Sequence, residues 1–211
     1  MPERVAEYVR RCGACQRYKN AGCGISHVAP ALTSLGTPWE EIAIDCIGPW
    51  KVTLPPPHNI VTFNAFTIID TTTGVLEIIR SRQMKATGQQ AVEALDNALL
   101  SRYPKPVRII ADQGKCFVSA EFNGHLVNNR IKPVFSTVAN PQSNAILERS
   151  HDTIKTAMRT ELHANPPTNM ATAEQLIDNV LSSTQYAVHC TVHKTMGVSP
   201  DTLCFNHDML L

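Results

Sequence analysis

Long apolar runs are missing from this chain. Nothing approaches the roughly 18 consecutive apolar residues that a bilayer-spanning helix needs, and no apolar leader follows MPERVAEYVRR. No association with a membrane is therefore expected. Net charge is scarce as well: 19 Lys and Arg against 18 Asp and Glu leave +1, too little for the broad basic footprint usual in nucleic-acid binding. The deficit is uneven. Residues 1–30 carry five Lys and Arg against two Asp and Glu, so the N-terminal arm is basic and the remainder slightly acidic. If three acids of the body ligate cations, its effective balance turns positive. Seven cysteines, an odd number, argue for a reducing compartment, nucleus or cytoplasm. Most of Cys46, Cys116, Cys190 and Cys204 stand in apolar contexts and read as small buried hydrophobes. Repeats and low-complexity tracts are also lacking. What remains is an ordinary globular balance, 43% hydrophobic and 18% charged over 211 residues, enough for one substantial domain.

Residues 12–38 have little apolar periodicity and much Gly, Ala, Ser and Pro, as a linker does, and the folded body starts near Trp39. The expected division is 1–38, a small N-terminal region plus linker, and 39–211, the body. EEIAIDCI, NAFTIID and GVLEIIR read as three strands. The last two are joined by Asp70 to Gly74, a composition that favours a tight hairpin. KVTLPPPHN reads as an exposed loop, since three successive prolines cannot donate to a sheet. From Thr87 the period becomes helical through Val92, Leu95 and Leu99, up to Pro104. VRIIAD is a fourth strand, apolar enough to be covered on both faces. Ser119 caps a second helix with Phe122 and Leu126 turned inward, and IKPVFS is a fifth strand. A third helix runs from about Gln142 to His163, with Leu147, Ile154, Met158 and Leu162 in one stripe. Asn144, Glu148, Asp152, Lys155 and Arg159 form an adjacent polar face. A fourth helix covers about Ala171 to Val192, and GVSPDTLCFNHDMLL reads as a turn and tail. The fold class is α/β, a mixed five-stranded sheet with helices on both faces.

Chemistry is suggested by carboxylates far apart in the chain. Asp112 closes the apolar run VRIIAD, and Glu148, with 35 residues between them, lies on a helix that packs beside it. For a third acid, Asp45 and Asp70 compete. Asp at the first position of a turn bonds its own backbone, which explains Asp70 structurally. Asp45 lies inside a strand between Ile44 and Cys46, where an uncompensated charge costs several kcal/mol, so Asp45 is the stronger candidate. Three clustered carboxylates raise one another's pKa, and a pair of divalent cations removes the conflict. All-oxygen ligation that keeps water selects Mg²⁺ or Mn²⁺ over zinc, and two such ions suit attack on a phosphodiester.

WEEIAIDCIGPW, IIADQGKCF, STVANPQSNAILERSHDTIK and YAVHCTVHKTMGVSPDTLCF resemble, in that order, the integrase cores of retroviruses and especially of gypsy-like LTR retrotransposons, with matches between residues 9 and 211. The resemblance implies an RNase H-like fold and a Mg²⁺-dependent DDE polynucleotidyl transferase, acting on DNA as a multimer. It would trim element cDNA ends and join them to target DNA. Asp45, Asp112 and Glu148 would be the metal-binding triad. The stretch Asn140, Pro141, Gln142, Ser143, Asn144 corresponds to an active-site loop whose polar side chains approach DNA, and Lys155 matches a DNA-contacting position. The position one turn after Glu148, commonly basic in retroviral relatives, is Asp152 here, and Arg149 and Arg159 are candidate substitutes.

Cys12 and Cys15 resemble the second half of the family's His-His-Cys-Cys zinc domain, whose His pair would precede Met1; a sequence that starts late explains the gap. A set of Cys12, Cys15, Cys23 and His27 is the alternative zinc site. No basic, β-rich C-terminal domain is evident after FNHDMLL. Two other readings stand beside the integrase: a decayed or domesticated element protein that binds DNA without cutting, and a related DDE transposase or nuclease.

Overall fold

The computed structural model describes residues 7, 8, 11–13, 36–56, 60–135, 141–193 and 196–207, the stretch 141–146 by its backbone only. Three antiparallel strands open the body: β1 (Glu41–Thr53), β2 (Ile60–Asp70) and β3 (Leu76–Ser81). On the other side of β1 lie β4 (Arg108–Ala111) and β5 (Lys132–Phe135), both parallel to their neighbours, giving the order β3-β2-β1-β4-β5. The mixed five-stranded sheet expected from the sequence is the one observed.

Alternation along β1 distributes its side chains between two layers. Ile42 and Ile44 join Phe66, Ile68 and Ile109 beneath α1 (Gly88–Leu95) and α2 (Ala120–Asn128), where Leu95, Phe122 and Leu126 are fully buried. Ala43 and Ile47 face the opposite layer, formed by α3 (Pro141–Ala164) and α4 (Met170–Cys190). Each large apolar side chain so buried stabilises the fold by about 1.5–3 kcal/mol. The helices begin where their caps stand. Thr87 and Gln90 form a capping box at α1, Asn169 and Thr172 form another at α4, and Ser119 Oγ accepts from Phe122 N–H at α2. Past Leu95 the helix widens into a π turn over Asp96–Leu100.

Three boundaries differ from the sequence reading. The expected loop at 51–59 is strand as far as Thr53, with Lys51 opposite Thr62 and Val52 opposite Val61, because the proline block begins only at Pro55. A bulge between Ile47 and Trp50 inserts one extra residue. The insertion re-phases the outer half of β1, so that Val52 and Leu54 bury on the α3–α4 side. Gly48 makes this possible: its φ is +127°, and a Cβ there would stand 2.7 Å from Asn64 Oδ1. The expected C-terminal turn is a short helix, α5 (Pro200–Phe205), capped by Ser199, whose Oγ accepts from Thr202 N–H. The fourth helix ends at Cys190 because Thr191 is already extended.

Asp70 has the structural role its turn position suggests. Its buried carboxylate accepts from Trp39 N–H, Thr72 N–H, Thr73 N–H and Thr73 Oγ–H. Gly74, at φ +81°, closes the hairpin by donating to the Asp70 carbonyl at 2.8 Å. Among the described residues, no helix is long and apolar enough to cross a membrane.

Candidate active site

Parallel pairing of β1 with β4 sets Ile44 beside Ala111. Continuing that register by one residue sets Asp45 beside Asp112, on strands about 4.8 Å apart. Both share the face of Ala43 and Ile110, the α3 side of the sheet. Helix α3 reaches this face through Leu147, which packs with Ala43, Ile69 and Leu76. Glu148 is the next residue, exposed beside the core as its place on the polar face predicts.

The electrostatics register this convergence. Asp45 is pushed up from 3.8 to about 6, first by burial and then by the charges of Asp112 and Glu148, while the Cys46 N–H that binds its Oδ1 at 2.7 Å pulls the other way. Asp112 is exposed, and its Oδ1 accepts from Gly114 N–H at 2.8 Å. Among the described residues, no three His, Cys, Asp or Glu side chains stand together as a ready-made metal cage. Uncompensated carboxylates repel, and the charges of Asp112 and Glu148 add to the burial that raises Asp45. An all-oxygen set under mutual repulsion fits a hard divalent cation.

Beside these acids lies a side chain that the sequence reading passed over. His151, one helical turn after Glu148 on the same side of α3, is buried. Its Nε2 is 2.9 Å from Thr67 Oγ1, and its Nδ1 is 3.8 Å from Asp45 Oδ2. Burial, aided by Lys155, drives the ring down from 6.5 to about 4, so at neutral pH a neutral imidazole faces Asp45 and the contact is not an ion pair. The spacing in ERSH was the available signal, obscured because Ser150 and His151 are polar residues in an otherwise apolar stripe. Ser150 joins that stripe by giving its hydroxyl to the Leu147 carbonyl at 2.7 Å. Leu147, Ile154 and Met158 are buried as expected, and Leu162 partly so.

Two expected cysteines also border the site. Cys46 and Cys116 are pushed upward chiefly by burial, Cys46 to about 12, so both stay thiols, Cys116 fully buried and Cys46 partly. Cys190 is buried as well, whereas Cys204 is half-exposed.

The expected DNA contacts are not all on one side. Lys155 and Arg159 follow Glu148 along one line of α3, whereas Arg149 is turned by about 100° and lines a groove between α3 and α4 with Asp152, Thr156 and Thr160. That groove, about 1250 Å³, contains none of the three carboxylates. Lys155 Nζ lies 3.6 Å from Asp152 Oδ1, so the acid that departs from the family pattern partly neutralises the nearest base. The side chains of Gln142, Ser143 and Asn144, the residue Asn140, and Cys15, Cys23 and His27 of the zinc candidates lie outside the described residues. Cys12 is described and half-exposed.

Comparison with solved structures decides the fold. A chain of the simian T-cell lymphotropic virus intasome, solved in complex with PP2A regulatory subunit B56 gamma, superposes on 99% of this chain and 68% of its own length, at a TM-score of 0.66 and 19% identity. The HTLV-2 integrase catalytic core domain in complex with magnesium covers 78% of this chain and 95% of its own, at a TM-score of 0.58 and 19% identity.

The fold is that of an integrase catalytic core.

The chain thus has the RNase H-like architecture of such cores. In sequence, this integrase-like chain matches the Transposon Tf2-3 polyprotein of Schizosaccharomyces pombe at 22% identity over 196 residues. The match takes in 91% of this chain but 14% of the polyprotein, so the chain spans about one-seventh of the length of that relative. No model of a known protein family matches it.

Proposed function

We propose that this chain is the catalytic core of an LTR-retrotransposon integrase, which trims the 3′ ends of element DNA and joins them to target DNA. The observation that supports the reading is the placement of Asp45 in β1 next to the end of β4, where Asp112 follows, on the face of an integrase-like sheet that α3 covers beside Glu148. Asp45, Asp112 and Glu148 would hold Mg²⁺ or Mn²⁺, as a pair of ions. When bound, the ions supply Lewis-acid activation and neutralise charge on the phosphodiester.

The side chains do the positioning. Asp45 stands in β1 and Asp112 directly follows β4, so the sheet governs their separation, and Glu148 is positioned by the burial of Leu147. A rigid frame of this kind contributes by orientation and offers no covalent nucleophile. Water would attack in end processing and the freed 3′-hydroxyl in joining. The exposure of Asp112 and Glu148 leaves an open ledge for a substrate as broad as a duplex, and Lys155 and Arg159 extend that ledge along α3. DNA and further copies of this chain are the proposed partners. The Cys12–Cys15 region of residues 1–38 is proposed as half of a zinc domain.

Asp112→Asn is expected to reduce Mg²⁺-dependent joining of pre-processed LTR-end duplexes to below about a thousandth of the wild-type rate, with an unchanged circular-dichroism spectrum. Wild-type activity in that variant would overturn the proposal. Unrelated inverted-repeat or hairpin ends serve as the comparison that detects a transposase.

A non-catalytic DNA-binding remnant is the second reading, favoured by the Lys155–Asp152 pair that weakens the basic line of α3. Oligonucleotide binding with no cleavage under either cation would establish it.

A further inference from the structure

The α3 face of the sheet carries a ring with both nitrogens turned to partners in the candidate site. His151 is 6% exposed, and its neighbour Thr67 sits directly opposite Asp45 in the β1–β2 register. The Thr67 hydroxyl has one proton and two acceptors in reach: His151 Nε2 at 2.9 Å and the Asp45 main-chain carbonyl at 3.4 Å. Donated to the carbonyl, that proton leaves Nε2 as the donor of the other contact; donated to the nearer group, it makes Nε2 an acceptor. In the second arrangement the single ring proton sits on Nδ1, the nitrogen that faces Asp45 Oδ2 at 3.8 Å. A movement of about 1 Å closes that gap to a hydrogen bond. On its other side the carboxylate is already held, through Oδ1, by Cys46 N–H at 2.7 Å.

We propose that Thr67 and His151 position the Asp45 carboxylate for cation binding: Thr67 fixes the imidazole tautomer, and His151 Nδ1–H fixes the rotation of the carboxylate. Held from both oxygens, Asp45 keeps a free lone pair on each for a cation. Hydrogen-bonding partners of metal-binding side chains commonly support affinity by about 10–100-fold. The inference rests on the reading of Asp45 as a cation ligand. His151 is a positioning residue, since it touches only Asp45 and Thr67 of the groups involved.

Two measurements on the full chain test it. In metal-free protein, ¹⁵N-histidine NMR is expected to show His151 protonated on Nδ1, with that nitrogen shifting in Asp45→Asn and the tautomer becoming mixed in Thr67→Val. In calorimetric Mn²⁺ titrations, His151→Leu, which fills the space but cannot donate, is expected to bind ten- to a hundredfold more weakly. His151→Asn, whose amide stands where Nδ1 stands, is expected to remain within about threefold of wild type. A ring protonated on Nε2 and indifferent to Asp45→Asn would overturn the proposal. So would a Leu variant that binds Mn²⁺ like wild type, or an Asn variant as weak as the Leu one. If Asp45→Asn itself leaves Mn²⁺ affinity unchanged, the integrase reading falls and takes this proposal with it. If that variant weakens binding while His151→Leu does not, only the positioning role is lost.

Discussion

Asp45 and Asp70 are both aspartates on strands of the same sheet, yet their substitution should have opposite effects. The Asp70 carboxylate is fully buried and accepts four hydrogen bonds, so Asp70→Ala orphans those donors and is expected to cost about 2–4 kcal/mol in urea denaturation. Asp45 is destabilised by its surroundings. Its folded value, about 6 against 3.8, means that between those limits the folded chain holds more protons than the unfolded one, and stability falls as pH rises. His151, at about 4 against 6.5, has the opposite sign, and its stability contribution is lost as pH falls through that window. The two slopes oppose each other between about pH 4 and 6. In metal-free protein, Asp45→Asn should therefore gain stability relative to wild type as pH rises through this range. His151→Asn should lose it, each by at most about 3 kcal/mol. Parallel stability–pH curves for wild type and both variants would contradict these assignments. The structural role of Asp70 was legible in sequence, because a turn context and a strand interior impose different demands on one carboxylate. His151 was not legible, since a polar residue in a buried stripe declares itself only when its partner, Thr67, arrives from 84 residues away.

At the scale of elements, caps and periodicity carried most of the information. Thr87, Ser119 and the stripe from Leu147 to Met158 define their helices locally. The outer half of β1 was hidden, because its pattern changes phase at the bulge and the sequence alone does not reveal the inserted residue. Close approach between elements was equally invisible. Gly88, at the start of α1, lies so near the cap of α2 that a Cβ would stand 1.9 Å from Ser119 Oγ. Gly88→Ala pits a methyl against that cap, and a loss of about 1–3 kcal/mol by chemical denaturation is expected, despite the better helix propensity of alanine. Recovery of part of that loss in the Gly88→Ala, Ser119→Gly double variant would locate the conflict between these two residues.

For the whole molecule, cation binding by the carboxylates, as proposed, would make folding and binding a single equilibrium. A cation at 100 times its dissociation constant stabilises the folded state by about 2.7 kcal/mol. In a chain of this length that corresponds to a rise in Tm of roughly 5–10 °C. Saturating MgCl₂ or MnCl₂ is expected to produce that rise in calorimetry, EDTA to reverse it, and Asp112→Asn to abolish it. An equal rise in the variant would place the ions elsewhere. The overall topology followed from element order, three consecutive strands and then alternating helix and strand. The candidate site was only partly foreseeable, because the flank proposed to face DNA depends on side chains whose directions a helical period sets one at a time, as Arg149 and Lys155 demonstrate.

The bond ladder between β1 and β4 carries a further consequence. Since it alone brings Asp112 beside Asp45, a nascent polypeptide still lacking the later strand cannot hold the proposed pair of acids. The proposed centre then stays incomplete until the helix that carries Glu148 has packed on the finished sheet.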